Sequence, residues 1–416
     1  MIAMTTGEMQ PPDSGIFSQI LPFDPFDPAF QADPYPAYRK MLESGPVAAT
    51  VPGVLVVGGH REVSAVLRDP RFGHGDGSLV ASQITKDVDG NVVRPFIFMD
   101  PPDHTRIRSL VSKAFTARNI ERLRPRARRL MAELIDAARA AAPEGPIDIM
   151  SSVAYPIATT LIREMLGAPA EDHDRIARWS AALSRGLDPD FLLTPEEIEH
   201  RDTSRLEFEA YFSELADRRR VEPADDLVTE LVRAEAEGDS LTKPELVAAC
   251  RVMLAAGYVA TANLIGNAIL ALLRNPEQLA WLRANPDRVD AVVEEALRYD
   301  SPVQLPGTRL ALEDAEIAGH PVKQGEVVVL LLGAANHDPA AYDEPERFDA
   351  SRTAAPHLAF SGGVHFCLGA PLARLTAQVA LSDLAEREFE LAEPTPPYAP
   401  NFVIRSLLRL PLYVRG

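Results

Sequence analysis

The sequence predicts a mainly α-helical chain with a minor β component, the α+β class, on three observations. A capping box, Thr242-Lys243-Pro244-Glu245, opens a run that reaches Arg274 with no proline in it and ends just before Asn275-Pro276. From Asp103 to about Gly238 the pattern is also mainly helical, with breaks at Pro143, Pro169, Pro189 and Pro195. The β-like runs are few and short, Gly53–Val57 and Val327–Leu332 among them.

The elements can be justified in order. Met1 to Gln19 is polar, with Pro11, Pro12 and two acidic residues, and lacks the basic start and apolar run of a signal peptide. Residues 1–20 are therefore expected to be a flexible tail, and 21–416 a single domain, since no repeat or low-complexity linker divides them. Gly53-Val54-Leu55-Val56-Val57 reads as a strand, and Arg61 to Leu67 as a short helix stopped by Asp69-Pro70. Gly73 to Gly90 is rich in glycine and polar residues and reads as a long loop of the kind that usually carries function. The long helix after Thr242 spans ~45 Å at 1.5 Å per residue, enough to cross a whole domain. Its centre, Val252-Met253-Leu254-Ala255-Ala256, is apolar on every side and should be buried. A further helix is expected over Pro286–Tyr299, before Ser301-Pro302, and a last strong one from about Pro371.

Composition narrows the function. The 416 residues are 46% hydrophobic and 25% charged, a globular balance. The net charge, 42 − 60 = −18, and the lack of a dominant basic stretch set nucleic acid aside. Two cysteines, Cys250 and Cys367, with no Cys-x-x-Cys, exclude a disulfide framework and a structural zinc site and suit a reducing cytoplasm. No membrane attachment is expected.

The chemistry points to Phe360-Ser361-Gly362-Gly363-Val364-His365-Phe366-Cys367-Leu368-Gly369. A cysteine in a loop opening onto a helix meets backbone N–H groups and a helix dipole that favour its thiolate. Glycines let the backbone lie close to a flat ligand, and Phe360 can pack against that ligand's edge. Cys250, inside the apolar helix, has no such context and reads as packing.

This decapeptide resembles the haem-binding signature of the cytochrome P450 family, Phe-x-x-Gly-x-x-x-Cys-x-Gly. One local departure is Ser361, where bacterial members usually have glycine; the small serine is expected to matter little. The resemblance covers nearly the whole chain and implies the cytochrome P450 fold, with a long central helix over haem b (iron protoporphyrin IX) and Cys367 as the metal ligand. A thiolate ligand pushes electron density toward O–O cleavage. By the same resemblance Phe360 and Gly369 shape the cofactor site. His104 and Arg108 in Asp100-Pro101-Pro102-Asp103-His104-Thr105-Arg106-Ile107-Arg108, with Arg309 and His365, are expected to bind the haem propionates. Glu295-Ala296-Leu297-Arg298 matches the family's Glu-x-x-Arg, and Arg347 in Pro345-Glu346-Arg347-Phe348 is expected to complete a structural ion-pair triad.

One motif departs from the family. The oxygen-activating segment, usually Ala/Gly-Gly-x-Asp/Glu-Thr-Thr, reads Ala256-Gly257-Tyr258-Val259-Ala260-Thr261. Val259 replaces the acid and Ala260 the first threonine, and neither can donate or relay a proton. Thr261 is rotated about 100° along the helix from Ala260 and should face elsewhere. Ala256 and Ala260 share one side, and with Gly257 leave room for dioxygen and water. Proton delivery assisted by a substrate hydroxyl, use of hydrogen peroxide, and radical coupling without oxygen insertion all remain open.

The resemblance also implies a substrate pocket from about Gly75 to Phe98, Leu183 to Leu193, the long helix, Val303 to Gly307 and Ile404 to Leu407. Phe96, Phe98, Val259, Leu305 and Ile404 make it apolar, suited to a natural-product-like substrate that a carrier protein could present. With no flavin or iron–sulfur segment in the sequence, two electrons are expected from a ferredoxin and its reductase, docking near Cys367, where Arg374 is a candidate contact. A cytoplasmic monomer is expected. The rival from another class is a non-enzymatic haem sensor.

Overall fold

The computed structural model describes residues 17–77, 84–86, 92–236, 241–305, 308–353 and 355–415. Helix dominates and the strands are short, matching the expected α+β class. Most of the expected tail lies outside the described residues; Phe17–Ile20 form a short helix, and Phe17 packs on Phe26, Phe191 and Phe402.

The main sheet holds β1 (Val47–Val51), β2 (Val54–Val57), β3 (Phe72–Gly73), β4 (Thr308–Ala311) and β5 (Val327–Leu330) in the order β1-β2-β5-β4-β3. β2 and β5 are the runs of β-branched residues that the sequence marks, and they pair in parallel with Val54 opposite Val327. The strand ends at Leu330, and a short helix, Leu332–Ala335, takes over. β3 pairs antiparallel with β4, Gly73 opposite Leu310, so His74, which follows β3, comes close to Arg309 on β4. The expected loop from Gly73 to Gly90 includes a strand residue at each described part, Gly73 and Thr85–Lys86; residues 78–83 and 87–90 lie outside the described set.

Eight helices frame the site: α1 (Asp103–Val111), α2 (Arg124–Ala141), α3 (Tyr155–Leu166), α4 (His173–Arg185), α5 (Pro195–Val221), α6 (Lys243–Arg274), α7 (Val289–Tyr299) and α8 (Ala370–Ala385). α6 begins where the capping box predicts. The Thr242 hydroxyl accepts from the Glu245 N–H, and the Glu245 carboxylate accepts from the Thr242 N–H. It packs against α3, α4, α5, α7 and α8. Its composition would pass for a membrane span, but most of that stretch is buried inside the protein. The helix expected over Pro286–Tyr299 is a 3₁₀ turn, Pro286–Arg288, running into α7.

α7 carries the buried Glu295–Arg298 pair, with guanidinium–carboxylate distances of 2.8 and 2.7 Å. Arg298 also donates to the carbonyls of Asn336, Pro345 and Arg347. The expected third member, Arg347, is a correction. Its side chain is 57% exposed and pairs with Glu344 and Asp349, while only its carbonyl faces inward. The third cation is Arg352, 12% exposed, with Nε 3.5 Å from Glu295. The turn through Asp349 carries the chain back toward α7, so the later arginine reaches the buried carboxylate.

Candidate active site

The cysteine loop is a strained turn held against the rest of the protein. Ser361 and Gly363 both adopt left-handed conformations, with φ of 60° and 61°. A Cβ at Gly363 would lie 2.0 Å from the Leu67 carbonyl oxygen, so only glycine fits there. At Ser361 the cost lies in the backbone rather than in side-chain size, which corrects the expectation that serine matters little there. After the turn Gly363–His365, the Cys367 N–H donates to the Phe360 carbonyl at 2.9 Å. Gly369 then leads directly into α8. Burial raises the Cys367 thiol above its ordinary range; N–H groups of Gly369 and Ala370, with Arg108 and Arg374, oppose that and favour the thiolate. Cys250 is fully buried in α6, and burial, with Asp226 nearby, pushes its thiol up, as suits a packing residue.

Five basic side chains converge beside this loop. α1 presents His104 and Arg108 one turn apart, β4 presents Arg309, and the cysteine loop presents His365. The sequence reading missed the fifth, His74, which follows β3. The His104 and His365 rings are 4.2 Å apart and those of His74 and His365 5.1 Å. Asp100 fixes His74, accepting from the N–H groups of His74 at 3.0 Å and Gly75 at 2.8 Å. Gly73 makes that approach possible, since a Cβ there would meet the Asp100 carboxylate at 2.5 Å.

The cluster is short of acceptors. Both ring nitrogens of His104, and Nε2 of His74 and of His365, are buried without a hydrogen-bond partner. Burial, reinforced by Arg309, lowers His74 to about 4 and His365 to about 2. Burial lowers Arg309 and Arg108 as well, offset by Asp100 for the first and Cys367 for the second. Buried, unpaired polar groups of this kind are costly, and beside Arg108 and Arg309 they mark a place for anionic oxygens. Two propionates would supply them. Among the described residues no group of His, Cys, Asp and Glu could hold a metal ion by itself. The residues present fit haem, with Cys367 placed to hold its iron and the basic cluster placed to meet its propionates.

α6 is buried on most of its surface, but Ala256 is exposed and Gly257, Tyr258, Val259 and Ala260 are half-buried. From Thr261 onward the helix is buried again, so Thr261 does not share the opening with Ala260. A Cβ at Gly257 would make only ordinary contact with Ile162 on α3. Asn263 donates to the Val259 carbonyl at 2.9 Å and accepts from the Leu407 N–H at 2.8 Å, tying the C-terminal turn to this part of the helix.

A cavity opens at this stretch of α6, lined by Ile97, Phe98, Leu183, Leu187, Val252 and Ala256. Phe98 lies in it as expected, whereas Phe96, Leu305 and Ile404 are packed into the core. Pro306 and Gly307 fall outside the described residues. Three cavity residues went unread in the sequence: Arg201, Arg205 and Arg251. Arg374, read as a docking contact, pairs with Glu294 at 2.6 and 2.8 Å and lies 4.6 Å over the Phe360 ring, bracing the cysteine loop from behind.

The family model for Cytochrome P450 matches residues 54–408. The Cytochrome P450 monooxygenase PikC of Streptomyces venezuelae is 38% identical over 392 residues, 92% of this chain and 91% of that protein. The mycinamicin IV hydroxylase/epoxidase of Micromonospora griseorubida is 38% identical over 388 residues, 90% of this chain and 94% of that protein. The crystal structure of P450BioI in complex with hexadec-9Z-enoic acid ligated acyl carrier protein is similar with a TM-score of 0.81 and 35% identity, covering 92% of this chain and 99% of that one. A fold, a cysteine turn and relatives that all agree leave one conclusion: the chain belongs to the cytochrome P450 family and is a monooxygenase with a haem-thiolate cofactor.

Proposed function

We propose that the protein binds haem b through Cys367 and inserts oxygen into a small, largely apolar, natural-product-like substrate, taking two electrons from a separate ferredoxin and its reductase. The observation that carries this reading is the set of buried, unpartnered histidine nitrogens beside Cys367. Cys367 Sγ would hold the iron, and His104, Arg108, Arg309, His365 and His74 would bind the propionates. Phe360 and Gly369 would shape the thiolate side of the site. When bound, haem supplies reductive activation of dioxygen, in which one oxygen atom enters the substrate and the other leaves as water with two protons.

The chain's own contribution to those protons is unusual. Ala256 and Ala260 leave space on the open side of α6, and Val259 and Ala260 offer no proton donor. Thr261 is buried away from that opening. A substrate hydroxyl with ordered water would complete the relay in their place. The same lack of a relay favours a second reading, radical coupling of an aromatic substrate, in which no oxygen atom is transferred. Labelled dioxygen separates the two, since only insertion places the label in the product.

The printed functions of PikC and of the mycinamicin hydroxylase support a natural-product substrate, and the P450BioI complex supports one delivered on a carrier protein. Val364 and Phe366, exposed in the loop of Cys367, offer a docking surface for the electron donor. The two unpaired cysteines agree with a soluble cytoplasmic location. The test begins with the absorbance spectrum of reduced, carbon-monoxide-treated protein, where a missing red-shifted thiolate band ends the proposal. Ala260→Thr then tests the relay: product formed per electron consumed should change with a hydroxyl-bearing substrate, and no change would mean that the substrate does not stand in for the alcohol.

A further inference from the structure

The substrate cavity is apolar on most walls, yet three arginines meet at it. Arg201 and Arg205 project from one face of α5, and Arg251 comes from α6, one turn before Ala255. Arg201 is matched by two carboxylates, Asp190 and Asp202. Arg205 and Arg251 share a single one, Glu209, at 3.4 Å and 3.2 Å. Among the described residues the carboxylates are thus unevenly placed, two on Arg201 and one divided between Arg205 and Arg251.

Arg251 is the most buried of the three, only 6% exposed, and its Nη2 is buried with no hydrogen-bond partner. A stranded guanidinium N–H beside an apolar cavity is costly unless an anionic oxygen arrives with the ligand. Burial weighs against the charged form of Arg251, Glu209 supports it, and the neighbouring Arg205 adds to the cost.

We propose that Arg251, with Arg205 beside it, forms a carboxylate subsite, so that the substrate is an apolar acid anchored at its charged end. The inference rests on the monooxygenase reading of this same cavity and names the substrate class. Arg251 lies nine residues before Ala260, about 13 Å along the helix axis. The apolar body then runs along Val252, Ala255 and Ala256, and oxidation falls on a carbon remote from the carboxylate.

The experiment titrates ferric holoenzyme with dodecanoic, tetradecanoic and hexadecanoic acids and with their methyl esters, following displacement of iron-bound water in the Soret band. The acids should bind roughly tenfold or more tightly than the matched esters. Arg251→Gln should abolish that preference, weakening acid binding far more than ester binding, and Arg251→Lys should keep most of it. A purely structural role for Arg251 would instead weaken acid and ester alike. Equal binding of acid and ester by the wild type, or a preference that survives Arg251→Gln, overturns the subsite. So does binding confined to S-tetradecanoyl phosphopantetheine, which would assign the charge to a carrier-borne phosphate. The carbon-monoxide spectrum of each preparation separates the failures. An intact thiolate band with no acid preference removes only the subsite, and a missing band in the wild type removes the monooxygenase reading beneath it.

Discussion

Ser361 shows how a single backbone angle can matter more than the size of a side chain. At φ of 60° a serine pays a left-handed penalty that glycine does not, on the order of 1 kcal/mol. Ser361→Gly should therefore stabilise the folded protein by up to about 0.5 kcal/mol, once glycine's greater unfolded entropy is subtracted. A higher thermal midpoint with an unchanged thiolate spectrum would bear this out; a lower midpoint would show that serine makes a compensating contact. At this scale the sequence was uneven in what it disclosed. Cys367 stood out because Phe360, Gly363, Cys367 and Gly369 match one signature at fixed spacing. His74 was not, because an isolated histidine between two glycines gains meaning only when β3 pairs with β4 and sets it against His365.

Between elements, buried charge decides which arginines matter. Arg352 reaches Glu295 and also donates to the carbonyls of Asp343, Glu344 and Arg347, so its loss strands several acceptors. Arg352→Met should cost about 1–3 kcal/mol in denaturant unfolding. Arg347→Met, whose guanidinium stands in solvent, should leave the unfolding midpoint where it is. The Glu294–Arg374 tie between α7 and α8 gives a pH signature. Burial alone would raise the Glu294 carboxyl, but hydrogen bonds from Arg374 and His357 outweigh it and hold it at about 2, below its ordinary 4.5. A depressed carboxyl stabilises the fold above its unfolded value and loses that contribution as pH falls toward the folded one. Acid unfolding of Glu294→Gln should accordingly be less steep between pH 4.5 and 2 than that of the wild type. The capping box and proline stops made the helices legible in sequence. The partner of Glu295 was not, since two arginines five residues apart follow it and only the intervening turn selects between them.

For the whole molecule, the proposed cofactor site draws on pieces that are far apart in the chain. α1, the end of β3, β4 and the cysteine loop all aim basic groups at one place, and those groups have few partners of their own. Haem removal should lower stability by several kcal/mol, since a tightly held ligand contributes in proportion to the logarithm of its affinity. Calorimetry of apo- and holoprotein measures the difference, and hydrogen exchange should find the loss of protection first in α1 and around Cys367. The arginine wall of the cavity was invisible in sequence for a similar reason: Arg201 and Arg205 lie almost fifty residues from Arg251, and only the packing of α5 on α6 brings them together. Glu245 links the scales. Its carboxylate closes the cap of α6 through the Thr242 N–H and also pairs with Arg106 on α1 at 2.5 Å. One side chain thus serves as a common hinge pin for the helix that lines the cavity and the helix that carries His104 and Arg108. The two helices are consequently set in register from outside the cavity, and a change at this half-buried carboxylate would be felt by both at once.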